Sequence, residues 1–152
     1  MEENPAFEKE IVEIDRLIRL VSLIVRKRGR DILGNFDITP PQFNALLALA
    51  DFGSLTMGEL CEKLYLACST ATDLIDRMER NGLIERQRDQ NDRRVIRLKI
   101  TERGQGIIEK VIEARYVYLT NVLASVTAEE KRSIVCALNQ LHSLMTQDMA
   151  KQ

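Results

Sequence analysis

Between about Phe7 and Leu33, the apolar residues Ile11, Ile14, Leu17, Ile18, Val21, Ile24 and Val25 recur at helical three- and four-residue spacing, which predicts one long amphipathic helix. The stretch from Gly29 to Asn35 ends it, and Thr39-Pro40-Pro41-Gln42 opens a second helix with an N-cap, a first-turn proline and a capping-box glutamine. That helix carries Phe43, Leu46, Leu47, Leu49 and Ala50 and stops at Asp51-Phe52-Gly53. Thr56-Met57-Gly58-Glu59 is another capping box, and the short helix behind it turns Leu60, Cys61 and Leu64 inward. Leu66-Ala67-Cys68 link it to a helix for which Ser69 is the expected N-cap, with Ala71, Leu74, Ile75 and Met78 on the inner side and Asn81-Gly82 at the end. Two short capped helices joined by a tight turn make a helix-turn-helix.

Beyond Gly82 the period changes. The run from Leu83 to Arg88 and the alternating Val95-Ile96-Arg97-Leu98-Lys99-Ile100 read as two strands around a polar turn, Asp89 to Arg94. A hairpin behind a helix-turn-helix is a winged helix. Thr101 then caps a helix striped by Ile107, Ile108, Val111, Ile112, Leu119, Val122 and Leu123, and Thr127-Ala128-Glu129-Glu130 caps a last one with Ile134, Leu138, Leu141, Leu144 and Met145 at helical spacing. The expected fold class is therefore all-α with a small β-wing. Residues 39–101 form the winged module, and residues 1–38 and 102–152 form a helical dimerisation region. The stripes of the outer helices lie outside the module, and a small lobe cannot bury both, so a homodimer is expected. No internal repeat, low-complexity segment or flexible linker interrupts the chain.

At 152 residues with 45% hydrophobic content the chain is long enough for one globular core. A formal net charge of −1 argues against a generally basic nucleic-acid protein, which moves attention to where the charges sit. At the start of the second helix of the helix-turn-helix stand Ser69, Thr70, Thr72 and Asp73, short polar residues suited to base edges and phosphates, with Arg77 one turn further on. The same residue types serve ordinary helix capping. In the hairpin Arg86, Arg88, Arg93, Arg94, Arg97 and Lys99 outnumber Asp89 and Asp92, and arginine suits both phosphate forks and the negative potential of a narrow minor groove. A charge-rich hairpin alone is a solvated edge. Joined in one unit, the two features point to double-stranded DNA as partner.

The remaining chemistry is sparse. One histidine, His142, cannot build a triad or a histidine-based metal site, so no catalysis, metal or cofactor is expected. The three cysteines, Cys61, Cys68 and Cys136, lack metal-type pairing and read as free buried thiols, with Cys68 the one whose oxidation would disturb a DNA contact. An acidic start and the lack of a membrane-length apolar run predict a cytoplasmic protein without membrane association. The basic run Arg26-Lys27-Arg28-Gly29-Arg30 reads as a solvated helix end or an extra phosphate contact, and Tyr116 and Tyr118 as packing or ligand-stacking residues.

The stretch Ser69 to Gly104, STATDLIDRMERNGLIERQRDQNDRRVIRLKITERG, resembles the MarR family of bacterial transcription regulators, most specifically at Asn81-Gly82-Leu83-Ile84, at Asp92 and Arg94, and at Leu98, Ile100, Thr101 and Gly104. The order and lengths of the flanking helices extend the resemblance over nearly the whole chain. It implies an obligate dimer with interlocked terminal helices and a crevice for a small-molecule effector between the dimer and DNA-binding parts. It also implies that Asp92 holds the Arg94 guanidinium so that Arg94 enters the minor groove. The expected function is a regulator, a repressor of a palindromic operator released by the effector. The alternative is a thiol-based redox regulator using Cys68. The family's organic-peroxide sensors carry a cysteine in the first helix, and none lies between Phe7 and Leu33 here; its zinc-responsive members use histidine clusters, and His142 stands alone.

Overall fold

The computed structural model describes residues 8–151. Along the chain run α1 (Lys9–Gly34), α2 (Pro40–Phe52), β1 (Leu55–Thr56), α3 (Met57–Leu64), α4 (Cys68–Arg80), β2 (Ile84–Arg88), β3 (Ile96–Ile100), α5 (Glu102–Val122) and α6 (Ala128–Met149). The chain divides into two compact units, one ending at Arg115 and the other beginning at Tyr116.

The first unit holds the winged helix. Its core is built from Leu46 and Leu49 of α2, Leu60 of α3, Ile75 and Met78 of α4, Ile84 of β2, Leu98 of β3 and Val111 of α5, all almost fully buried. The helices start where local hydrogen bonds allow. Thr39 Oγ1 accepts from the Gln42 amide while Gln42 Oε1 accepts from the Thr39 amide, and Thr56 with Glu59 repeats the arrangement, so two orphan amides at each helix start are satisfied reciprocally. Helix ends follow the complementary rule. After α4 the amides of Gly82 and Leu83 donate to the carbonyls of Glu79 and Met78, with Gly82 at φ +68°. The chain leaves α3 in the same way, but there the left-handed residue is Tyr65, at φ 52°.

The sheet is antiparallel in the order β1-β3-β2. Strand β1 was not expected: two residues show no alternation, and Leu55 and Thr56 become a strand only because they pair with Leu98 and Arg97, over forty positions later. Gly104 seats α5 on this sheet. Thr101 Oγ1 donates to the Gly82 carbonyl at 2.7 Å and accepts from the Gly104 amide at 3.1 Å, drawing the helix start so close that a Cβ at 104 would lie 2.3 Å from the Leu83 carbonyl oxygen.

Helix α1 buries only Ile32 and Leu33, leaving Ile11, Ile14, Leu17, Val21 and Ile24 exposed along its length. In the second unit α6 is capped by Thr127 and Glu130 as expected, yet none of its residues is fully buried: Ile134, Leu138, Leu144 and Met145 are all exposed. Cys136 on α6 is exposed for the same reason, which corrects the expectation of a buried thiol there; of the three cysteines Cys61 alone is buried.

Candidate nucleic-acid interface

Helix α4 begins two residues earlier than its composition suggests. Ala67, not Ser69, is the N-cap, and it offers no side-chain hydrogen bond. The cause lies in the preceding turn. With Tyr65 left-handed, the Leu66 amide closes back onto the Cys61 carbonyl at 3.0 Å, so Ala67 is already extended and Cys68 takes the first helical position. Ser69 is thereby freed from capping and stands exposed in the first turn of α4, beside Thr70.

Ser69, Thr70, Asp73 and Arg77 line one side of an open groove of about 500 Å³, whose other side is formed by Thr39 and Pro41 at the start of α2. Thr72 is exposed too, outside the groove lining but one turn on from Ser69, and its hydroxyl donates to the Cys68 carbonyl at 2.8 Å. The first half of α4 therefore presents a polar, uncovered surface above an apolar underside of Ala71, Ile75 and Met78.

The arginines of the hairpin divide into two kinds. Arg88, Arg93 and Arg94 are exposed. The Arg94 side chain is 93% accessible, while its amide and Nε both donate to Asp92 Oδ1 at 3.0 and 3.3 Å. This is the Asp92–Arg94 contact that the family resemblance implies. Arg86, by contrast, is held inward: its guanidinium donates to Asp76 Oδ1 at 2.6 Å and to Glu79, tying β2 to the second half of α4. The Asp76 and Glu79 carboxylates push the Arg86 pKa upward despite partial burial. Arg97 is likewise occupied, donating from Nε to Asp89 and lying 3.7 Å from Glu59.

Asp89 is the residue that composition undervalued. It looked like dilution of a basic wing. Instead it accepts from Arg97 and from the amides of Asn91 and Asp92, which together hold its carboxyl down to about 2, Arg97 contributing most. The available signal was its place as the first polar residue after β2, where an aspartate accepts amides two and three residues on.

Cys68 is exposed at the first position of α4, and the buried Cys61 thiol is pushed up by its burial and then by the neighbouring Cys68 thiol. Among the described residues no group of three or more His, Cys, Asp or Glu side chains is placed to hold a metal, and no helix is long and apolar enough to cross a membrane.

A helix-turn-helix whose second helix shows a free polar face, followed by a hairpin tipped with an extended arginine, defines a winged-helix DNA-binding module. Comparison with known proteins agrees. The MarR family model matches residues 38–96. The chain is 46% identical over 122 residues to the HTH-type transcriptional regulator YsmB of Bacillus subtilis, covering 80% of this chain and 84% of that protein. It is 36% identical over 93 residues to the HTH-type transcriptional repressor MdtR of Bacillus subtilis, 61% of this chain and 60% of that one. A solved MarR family protein from Bacillus stearothermophilus superposes with a TM-score of 0.86 at 49% identity, covering 92% of this chain and 98% of that chain. The chain belongs to the MarR family of transcriptional regulators.

Proposed function

We propose that the protein is a homodimeric repressor of a palindromic operator, released when a small-molecule effector binds. The observation that carries this reading is the pairing of an uncovered polar face on α4 (Ser69, Thr70, Asp73, Arg77) with a wing whose Arg94 extends freely while Asp92 anchors it. In this reading α4 enters the major groove, with Ser69, Thr70, Thr72, Asp73 and Arg77 at base edges and adjacent phosphates. Arg88 and Arg93 meet phosphates, and Arg94 enters the minor groove. Arg86 acts at one remove, by holding β2 against α4. The exposed apolar stripes of α1 and α6 support dimerisation through residues 1–38 and 102–152, because monomeric proteins seldom leave contiguous apolar surface of that extent in water. A two-fold dimer reads two copies of the same half-site, and its occupancy of a promoter blocks polymerase. The likeness to the repressor MdtR supports repression over activation.

The effector acts by binding the DNA-free arrangement more tightly than the bound one, so ligand and operator weaken each other. The test is selection of duplexes from a random pool followed by footprinting. Two inverted half-sites about one helical turn apart support the reading; a single asymmetric site, or no enrichment, contradicts it.

A second reading, thiol sensing, has one observation in its favour: Cys68 lies exposed at the start of α4 with the Cys61 thiol beside it. Loss of operator binding with peroxide and its recovery with a thiol reductant would support it, and Cys68→Ser should then be insensitive.

A further inference from the structure

The wing is joined to the body of the module by a continuous polar chain. It starts at the N-terminus of α3, where Glu59 Oε2 accepts from the Thr56 amide at 2.7 Å. Glu59 faces Arg97 Nη1 at 3.7 Å, and the same guanidinium donates to the Ser54 carbonyl at 3.4 Å and from Nε to Asp89. Asp89 Oδ1 then gathers the amides of Asn91 at 2.8 Å and Asp92 at 3.1 Å. Backbone bonds from the Asp89 amide to the Val95 carbonyl and from the Val95 amide to the Asp92 carbonyl, both 2.9 Å, close the loop, and Asp92 holds Arg94. The Asp89 side chain is only 14% accessible, far less than the 93% of Arg94. So the one wing carboxylate withdrawn from solvent is the one that fixes the loop from which the exposed arginine projects.

We propose that Asp89 and Arg97 are positioning residues for DNA binding, a clamp that anchors the wing tip to the start of α3 and pre-orders Arg94 for its groove. The clamp rests on the reading of Arg94 as a DNA contact. Its two members carry opposite charges that cancel, so neither is offered to phosphate; Arg97 donates to Asp89 and Ser54 and pairs in charge with Glu59. A loop held in its bound shape loses less conformational freedom on binding, so the clamp acts on affinity without touching DNA.

The experiment uses the full-length chain and a fluorescent duplex selected from a random pool, and compares Asp89→Ala, Asp89→Asn and Arg97→Lys, each alone and with Arg94→Ala. Without DNA, Asp89→Ala should speed amide exchange at Asn91 and Asp92 by roughly tenfold while amides of β2 and β3 keep their protection. With DNA it should weaken binding by roughly tenfold in the presence of Arg94 and by less than about twofold once Arg94 is alanine. Asp89→Asn keeps an acceptor for the two amides and loses the charge opposite Arg97, so its effect should fall between. Arg97→Lys keeps the charge and loses the fork, and should resemble Asp89→Asn. Unchanged exchange at Asn91 and Asp92 in Asp89→Ala overturns the clamp, and so does an affinity loss that persists undiminished in the Arg94→Ala background. If Arg94→Ala alone binds as tightly as wild type, the wing reading falls, and the exchange measurement still decides whether the clamp exists.

Discussion

Replacing Gly104 with alanine adds one methyl group at the tightest point between α5 and the sheet. The new Cβ would stand 2.3 Å from the Leu83 carbonyl oxygen, 2.8 Å from Ile100 Cγ1 and 3.2 Å from Leu46 Cδ2. Comfortable carbon–oxygen contact begins near 3.3 Å, roughly, so the helix start or the Leu83 peptide must move by about 1 Å. The Leu83 carbonyl is not free to yield, because it accepts from the Thr101 amide at 3.1 Å. Overpacking costs about 1–3 kcal/mol, and backbone involvement puts this case toward the upper end. Alanine returns something less than about 1 kcal/mol in helix propensity so near a helix start. The expected net loss is about 2 kcal/mol, or roughly 4–8 °C in melting temperature for a chain of this size. Gly106, two residues on, has open space around its Cβ position. Gly106→Ala should therefore melt at or slightly above wild type, and it serves as the control for propensity alone. The assay is thermal circular dichroism at one fixed protein concentration, since association couples to folding. A Gly104→Ala protein that melts with wild type or above it would refute the packing argument.

Three further outcomes follow from the geometry. The Arg97 guanidinium and the loop amides hold the Asp89 carboxyl down to about 2, below its ordinary 3.8. Its contribution to wing order is therefore complete above pH ~4 and lost as pH falls through about 2, and an NMR titration with a midpoint near the unshifted value would contradict this. Tyr65 adopts a left-handed conformation with its ring in solvent. Tyr65→Gly should accordingly raise stability by about 0.5–1 kcal/mol in chemical denaturation, and a loss of stability would show that the ring packs against something. Leu138 is exposed on α6, so Leu138→Glu should dissociate the proposed dimer at micromolar concentration in analytical ultracentrifugation, each buried leucine being worth about 1.5–3 kcal/mol and occurring twice in a two-fold interface. An unchanged dimer mass would remove α6 from the interface.

Much of this structure was legible because it is written in local rules. The capping boxes at Thr39, Thr56 and Thr127 close within four residues, and the glycine after α4 meets a conformational demand that few other residues satisfy. What the sequence concealed depends on partners far along the chain. Strand β1 exists through Leu98 and Arg97. The start of α4 is hidden because the left-handed residue of the preceding turn is a tyrosine, a type that carries no such signal, and the turn it makes moves the N-cap two residues back, from Ser69 to Ala67. Charge content in the wing identified a basic hairpin but not which arginines are spoken for. Arg86 finds Asp76 and Glu79 seven to ten residues away on another element, a pairing that composition cannot distinguish from solvation.

In the proposed function Arg94, projecting from an ordered wing, completes a DNA contact begun by α4. Its most direct test is the affinity of wild type and Arg94→Ala for a selected operator duplex, measured over a series of salt concentrations with the oligomeric state verified in parallel. The expected result is a loss of about 1–3 kcal/mol and a salt slope shallower by roughly one unit per subunit. Full affinity for Arg94→Ala at physiological salt, with an unchanged slope and an intact oligomer, would contradict it and leave the wing arginines as a solvated edge.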